Sequence, residues 1–99
     1  MARRRSRPAP EHEIDLHGMT VERATRHLER ALLSLRVSGI REVRLIVGRG
    51  IGSPDGQARL APGVERWLRG PEGTRVGATI VGRAGKGGAL DVRLKAPRD

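Results

Sequence analysis

Between Ile14 and Gly48 the chain carries two short apolar runs on either side of one long amphipathic stretch, each segment closed by glycine. This strand–helix–strand order restricts the fold more than any other feature. Ile14 and Leu16 alternate with Glu13, Asp15 and His17, the period-two pattern of a half-buried strand, and Gly18 stops it. Thr20 then stands as an N-cap and Glu22 falls in the first helical turn. Val21, Ala24, Leu28, Ala31, Leu32 and Leu35 recur at three- and four-residue spacing until Gly39, which predicts a helix over roughly residues 20 to 38. Val43 to Val47 forms the second run, and its contiguous Leu45, Ile46 and Val47 predict a central strand buried on both faces. A helical crossover between two strands of one sheet is right-handed and leaves them parallel, so Gly18 and Gly48 fall at the same carboxyl edge, where α/β folds bind ligands.

The remainder completes a small domain. Residues 48 to 58 hold four glycines and one proline and read as a mobile loop. A short second helix follows, with Pro62 in its first turn, Val64, Trp67 and Leu68 on its inner face, and Gly70-Pro71 as its stop. Val76 to Val81 reads as a third strand. Leu90, Val92 and Leu94 alternate with polar residues as a fourth, and Gly82 to Gly88 form the hairpin loop between them. The order β-α-β-α-β-β predicts an α/β two-layer sandwich, a mixed four-stranded sheet with two helices on one face. Its boundaries are set at residues 12 to 96, after a disordered basic arm over 1 to 11 and before a flexible terminus over 97 to 99.

Charge then narrows the partner. Lys+Arg number 20 against 11 Asp+Glu, a net charge of +9 at pH 7, and Arg3, Arg4, Arg5 and Arg7 crowd the arm. Such a surface attracts a polyanion, and nucleic acid, DNA or RNA, gains affinity from it by counterion release. Trp67 is the only aromatic residue, which argues against a base-stacking platform. No apolar run approaches the roughly 20 residues that span a bilayer. With no cysteine there is neither a disulfide framework nor a thiolate metal site, and the chain is expected to be cytoplasmic and away from the membrane.

Chemistry concentrates at the two glycine-closed edges. Asp15 and His17 stand one residue apart on the same side of a strand, an acid–base pair by type and spacing. Gly18, Gly48 and Gly50 allow backbone N–H groups to approach a phosphate, while Arg49 and Lys86 supply cations to clamp it. In this arrangement His17 transfers the proton and Asp15 orients it or holds a metal. A single Asp and a single His make a poor Mg²⁺ site, so no protein metal site is expected, and any divalent cation, Mg²⁺ or Mn²⁺, would depend on water and substrate oxygens. The same residues also have a structural reading, a carboxylate and an imidazole satisfying a turn. His12 and His27 are assigned to the surface, Trp67 to the core, and Met19 to the apolar closure of the loop.

Three motifs in the same order resemble the small MutS-related, or Smr, domain family. Ile14-Asp15-Leu16-His17-Gly18 is similar to its Leu-Asp-Leu-His-Gly string. Gly48-Arg49-Gly50 is similar to its Gly-x-Gly turn, with Val47 replacing the usual His or Thr. Gly85-Lys86-Gly87-Gly88-Ala89 leading into Val92-Arg93-Leu94 is similar to its Gly-Gly-x-Gly-Ala loop and Val-x-Leu strand, with Lys86 at the second glycine. The spacing of Ser53, Leu60 and Trp67-Leu68 also fits, and the resemblance covers about residues 13 to 95. It implies a nucleic-acid-binding domain, often an endonuclease on DNA or RNA, with a fold similar to the C-terminal domain of bacterial translation initiation factor three. Nucleic-acid contacts are expected from Gly18, Gly48, Arg49, Gly50, Ser53, Lys86 and Gly88, and the arm's Arg3, Arg4, Arg5 and Arg7 read either as a tether that tracks phosphates or as a solvated terminus. Family members differ in whether they cut and whether they use a divalent metal. A nuclease and a non-cutting module that recognises nucleic-acid structure are therefore both expected readings, and a protein–protein adaptor is a weaker third.

Overall fold

The computed structural model describes residues 10–48 and 57–96, apart from the side chains at 57, 58 and 86. Strand β1 spans His12–Asp15 and helix α1 spans Val21–Val37. The Thr20 hydroxyl caps α1 by accepting from the Arg23 N–H at 3.2 Å. Ala24, Leu28 and Leu32 form its buried stripe, at the three- and four-residue spacing read from the sequence. Strand β2 spans Glu42–Ile46 and pairs parallel with β1, Ile14 opposite Leu45, which is the crossover that the sequence predicts.

Between the sheet's two halves the structure departs from expectation. Helix α2 spans Gln57–Arg69, so it begins inside the stretch expected as loop and holds Pro62 in its interior. A proline there forfeits one backbone hydrogen bond, a local cost that burial of Leu60, Val64 and Leu68 offsets. Gly70-Pro71 ends α2 but also starts a further helix, α3, over Pro71–Val76, because the fixed φ of proline suits a first helical position. The described residues thus form three α-helices where two are expected. Gly73 makes the α2–α3 corner possible, since a Cβ there would lie 1.8 Å from the Leu68 carbonyl oxygen.

Strand β3 spans Ala78–Ala84, a 3₁₀ turn covers Gly85–Gly87, and β4 spans Ala89–Leu94. The sheet order is β1-β2-β4-β3, with β4 antiparallel to both neighbours. Core residues from all three helices and all four strands belong to a single cluster, so the helices share one face of the sheet. Trp67 and Met19 are only partly buried and pack against that cluster.

Strand β2 is not buried on both faces. Val43, Leu45 and Val47 point into the core, while Glu42, Arg44 and Ile46 are only half-buried on the opposite side. That side is an open face floored with charge pairs. Arg44 donates to both oxygens of Asp91, Nε at 2.7 Å and Nη2 at 3.1 Å, and Arg93 Nε donates to Glu42 at 2.7 Å. Glu11, at the end of the expected arm, is tied to the sheet: its carboxylate accepts from the Arg41 and Glu42 N–H groups at 2.7 and 3.1 Å.

Candidate functional site

The carboxyl ends of β1 and β2 and the β3–β4 hairpin meet at one rim. Asp15 lies opposite Ile46, Ile46 opposite Ala89, and Ala89 opposite Ala84, a single row across all four strands. At the ordinary interstrand spacing, the backbones at Asp15 and Ala89 are about 10 Å apart. The Gly18, Gly48 and Gly85–Gly88 turns all leave the sheet just beyond this row.

Asp15 and His17 form a closed pair. Leu16, fully buried, fixes the chain between them and extends the ladder by donating its N–H to the Ile46 carbonyl at 2.7 Å. Asp15 Oδ1 accepts from the His17 backbone N–H at 3.1 Å and lies 2.6 Å from His17 Nδ1. The first contact is an Asx-type turn; the second orients the ring. Gly18 then adopts φ of 84°, a left-handed conformation that turns the chain toward α1.

The electrostatics select one proton arrangement. The Asp15 carboxyl is held below the usual carboxylate range, first by the hydrogen bond from the His17 side chain and second by the His17 backbone N–H. An ionised carboxylate only accepts, so Nδ1 of His17 is the donor to Asp15 Oδ1, and Nε2 is the ring nitrogen this contact leaves unused. Side-chain exposures of 66% for His17 and 59% for Asp15 leave both open to a large ligand. At that exposure the ion pair adds little to stability, so its consequence is orientation.

The glycines behave differently from one another. Gly48 adopts φ of 76°, but its N–H donates to the Gly88 carbonyl at 3.0 Å, and the Val47 N–H donates to the same oxygen at 2.9 Å. The Gly48 N–H is therefore engaged inside the protein and is not free to receive a phosphate. Gly88 likewise closes its own turn, donating to the Gly85 carbonyl at 3.0 Å. Val47 is fully buried and contributes no polar group to the rim. Arg3, Arg4, Arg5, Arg7, Arg49, Gly50 and Ser53, and the side chain of Lys86, lie outside the described residues. The backbone of Lys86 sits in the 3₁₀ turn on the rim.

Beside the pair, a groove of about 380 Å³ runs between β1 and α1, lined by His12, Glu13 and Asp15 on one side and by His27, Ser34 and Leu35 on the other. His12 and His27 are both exposed, as assigned from the sequence, yet both border the same groove as Asp15. That relation was invisible in the sequence because it depends on α1 folding back over the edge strand. Among the described residues, no group of three or more His, Cys, Asp or Glu side chains converges as a metal centre. Asp15 Oδ1 and His17 Nδ1 are spent on each other, which leaves Oδ2 and Nε2 as the pair's remaining side-chain donors.

The comparisons agree with this architecture. The Smr domain profile matches residues 14–95. The solution structure of the Smr domain of NEDD4-binding protein 2 superposes with a TM-score of 0.66 at 28% identity, covering 95% of this chain and 96% of that one. The B3BP Smr domain, also a solution structure, gives a TM-score of 0.61 at 32% identity over 87% of this chain and 80% of that one. The crystal structure of the Smr domain of Thermus thermophilus MutS2 gives 0.60 at 28% identity, covering 85% and 98%. No curated protein sequence matches the chain. With the family profile spanning nearly the whole described domain and the same fold in each of these three structures, the chain belongs to the Smr domain family.

Proposed function

We propose that this Smr domain binds nucleic acid at the rim described above and cleaves its phosphodiester backbone there, as an endonuclease on DNA or RNA. One observation carries the reading: an exposed imidazole whose Nδ1 is fixed by the Asp15 carboxylate, so that Nε2 is the ring nitrogen left for a ligand. Phosphodiester cleavage requires a group that removes a proton from the attacking oxygen, and a neutral imidazole oriented by a carboxylate is suited to that step. His17 would act as the general base and Asp15 as its orienting partner. Arg49 and Lys86, by their places in the Gly-x-Gly turn and the hairpin, would neutralise charge at phosphorus. Gly18 and Gly50, having no side chains, would let the phosphate backbone approach closely, with Ser53 and the arm's Arg3, Arg4, Arg5 and Arg7 as further contacts. A divalent cation, Mg²⁺ or Mn²⁺, is compatible with this scheme and would draw most of its ligands from water and substrate oxygens. The cytoplasm is the expected compartment.

The test is cleavage of labelled single-stranded, duplex and branched DNA and RNA, with Mg²⁺, Mn²⁺ or EDTA, beside a binding measurement on each substrate. The expected result is that His17→Ala and Asp15→Ala lose cleavage by about a hundredfold or more while still binding. Cleavage unchanged in both variants would locate the activity elsewhere. Salt-sensitive binding with no cleavage by the unmodified protein would leave the non-cutting nucleic-acid module, which the burial of Val47 at the usual His or Thr position favours.

A further inference from the structure

The outward side of α1 carries Arg23, Arg26, His27 and Arg30, which the spacing of three, four and seven positions places on one stripe. Together they line a shallow depression of about 180 Å³. Among the described residues, none of the three arginine side chains has a hydrogen-bond or ion-pair partner. Of the two acids in the same turns, Glu29 is taken by Arg75 at 3.1 Å, and Glu22, four positions before Arg26, makes no ion pair among the described residues. Like charges this close on one helix repel one another, and Glu22 and Glu29, which border Arg26, offset that repulsion only in part.

The position of the stripe gives it meaning. Arg23 lies in the first turn of α1, shortly after the Gly18 turn, and His27 borders the same groove as Asp15. From Arg23 to Arg30 the helix rises about 10 Å, which matches roughly three phosphate steps along a nucleic-acid strand. Guanidinium groups fit phosphate oxygens in a two-pronged manner, and Glu13 and Asp15 on the groove wall keep an anion on the crest, not in the groove.

We propose that the crest formed by Arg23, Arg26, His27 and Arg30 is a second contact surface, which carries the phosphate backbone of a bound nucleic acid away from the Asp15–His17 pair along α1. The proposal rests on the nucleic-acid reading of the rim. It directs the ligand across the helical layer, beside the edge strand β1, and not across the open face of the sheet.

The experiment compares two charge-matched triple variants of the full chain. One is Arg23→Gln with Arg26→Gln and Arg30→Gln; the other is Arg59→Gln with Arg66→Gln and Lys95→Gln, which removes three exposed cations elsewhere. Binding to labelled DNA and RNA duplexes is measured by anisotropy between about 50 and 200 mM salt, where phosphate contacts dominate the change in affinity. The crest variant is expected to lower the slope of log affinity against log salt by about 2.7 on duplex DNA and to weaken binding about tenfold or more at the low-salt end. The control variant is expected to change the slope by less than about one. Circular dichroism confirms that both variants fold, since glutamine is a good helix former. Equal changes of slope in the two triples would overturn the crest while leaving the rim reading intact. Salt-insensitive binding by the unmodified protein would overturn both.

Discussion

The open face of the sheet and the crest of α1 both carry arginine, and they treat it in opposite ways. On the sheet, Arg44 is held in a two-pronged bond to Asp91 and Arg93 is bonded to Glu42, so positive charge is cancelled within the fold. On the crest, three arginines stand within two turns, and among the described residues no carboxylate is bonded to them. A net charge of +9 is therefore not an even coating. The difference teaches where a polyanion gains most: at groups whose charge the fold has not already spent.

The sharpest way to break this contrast is at the rim. Asp15→Asn keeps the size of the side chain and an oxygen that can accept from both the His17 backbone N–H and Nδ1, but it removes the negative charge that stabilises the imidazolium formed when His17 takes up a proton. Cleavage is expected to fall by about two to four orders of magnitude with binding undiminished, as a single-turnover assay would report. Its pH dependence adds a check. The Asp15 carboxyl is depressed by His17, so its contribution is present at neutral pH and is lost only as pH falls through a value below the usual carboxylate range. No acid limb from Asp15 should appear between about pH 5 and 8.

Next in size is the crest triple, whose effect on affinity should come with an unchanged melting temperature. The converse is Arg44→Met, which leaves Asp91, only 7% exposed, without its guanidinium. Because Arg44 is itself partly exposed, a loss of about 1 to 2 kcal/mol in urea unfolding is expected, with nucleic-acid affinity nearly unchanged. Smallest is Thr20→Ala, which removes the cap of α1 and should cost about 1 kcal/mol. If Arg44→Met weakened binding as much as the crest triple, the division between the two surfaces would fail.

How much of this was legible follows from how local each signal is. Helix α1 announced itself through Thr20, a continuous apolar stripe and Gly39, all written within its own span. Helices α2 and α3 did not, because proline is an ambiguous mark: Pro62 reads as a helix start yet sits in an interior, and Pro71 reads as a stop yet also starts a helix. Leu45-Ile46-Val47 suggested burial on both faces, since a contiguous apolar run conceals which side the helices cover. At the rim, the Asp15–His17 contact was readable from period-two spacing. The capture of the Gly48 N–H by Gly88 was not, because forty residues of chain separate the partners.

That capture has a mechanical consequence. One carbonyl oxygen, at Gly88, accepts from both Val47 and Gly48, so the root of the segment leaving β2 is pinned to the base of the β3–β4 hairpin. The two cannot be displaced independently without breaking this shared anchor. A ligand pressing on the hairpin therefore transmits its load directly to the start of the Gly-x-Gly segment, and the rim answers as a single lip instead of two separate fingers.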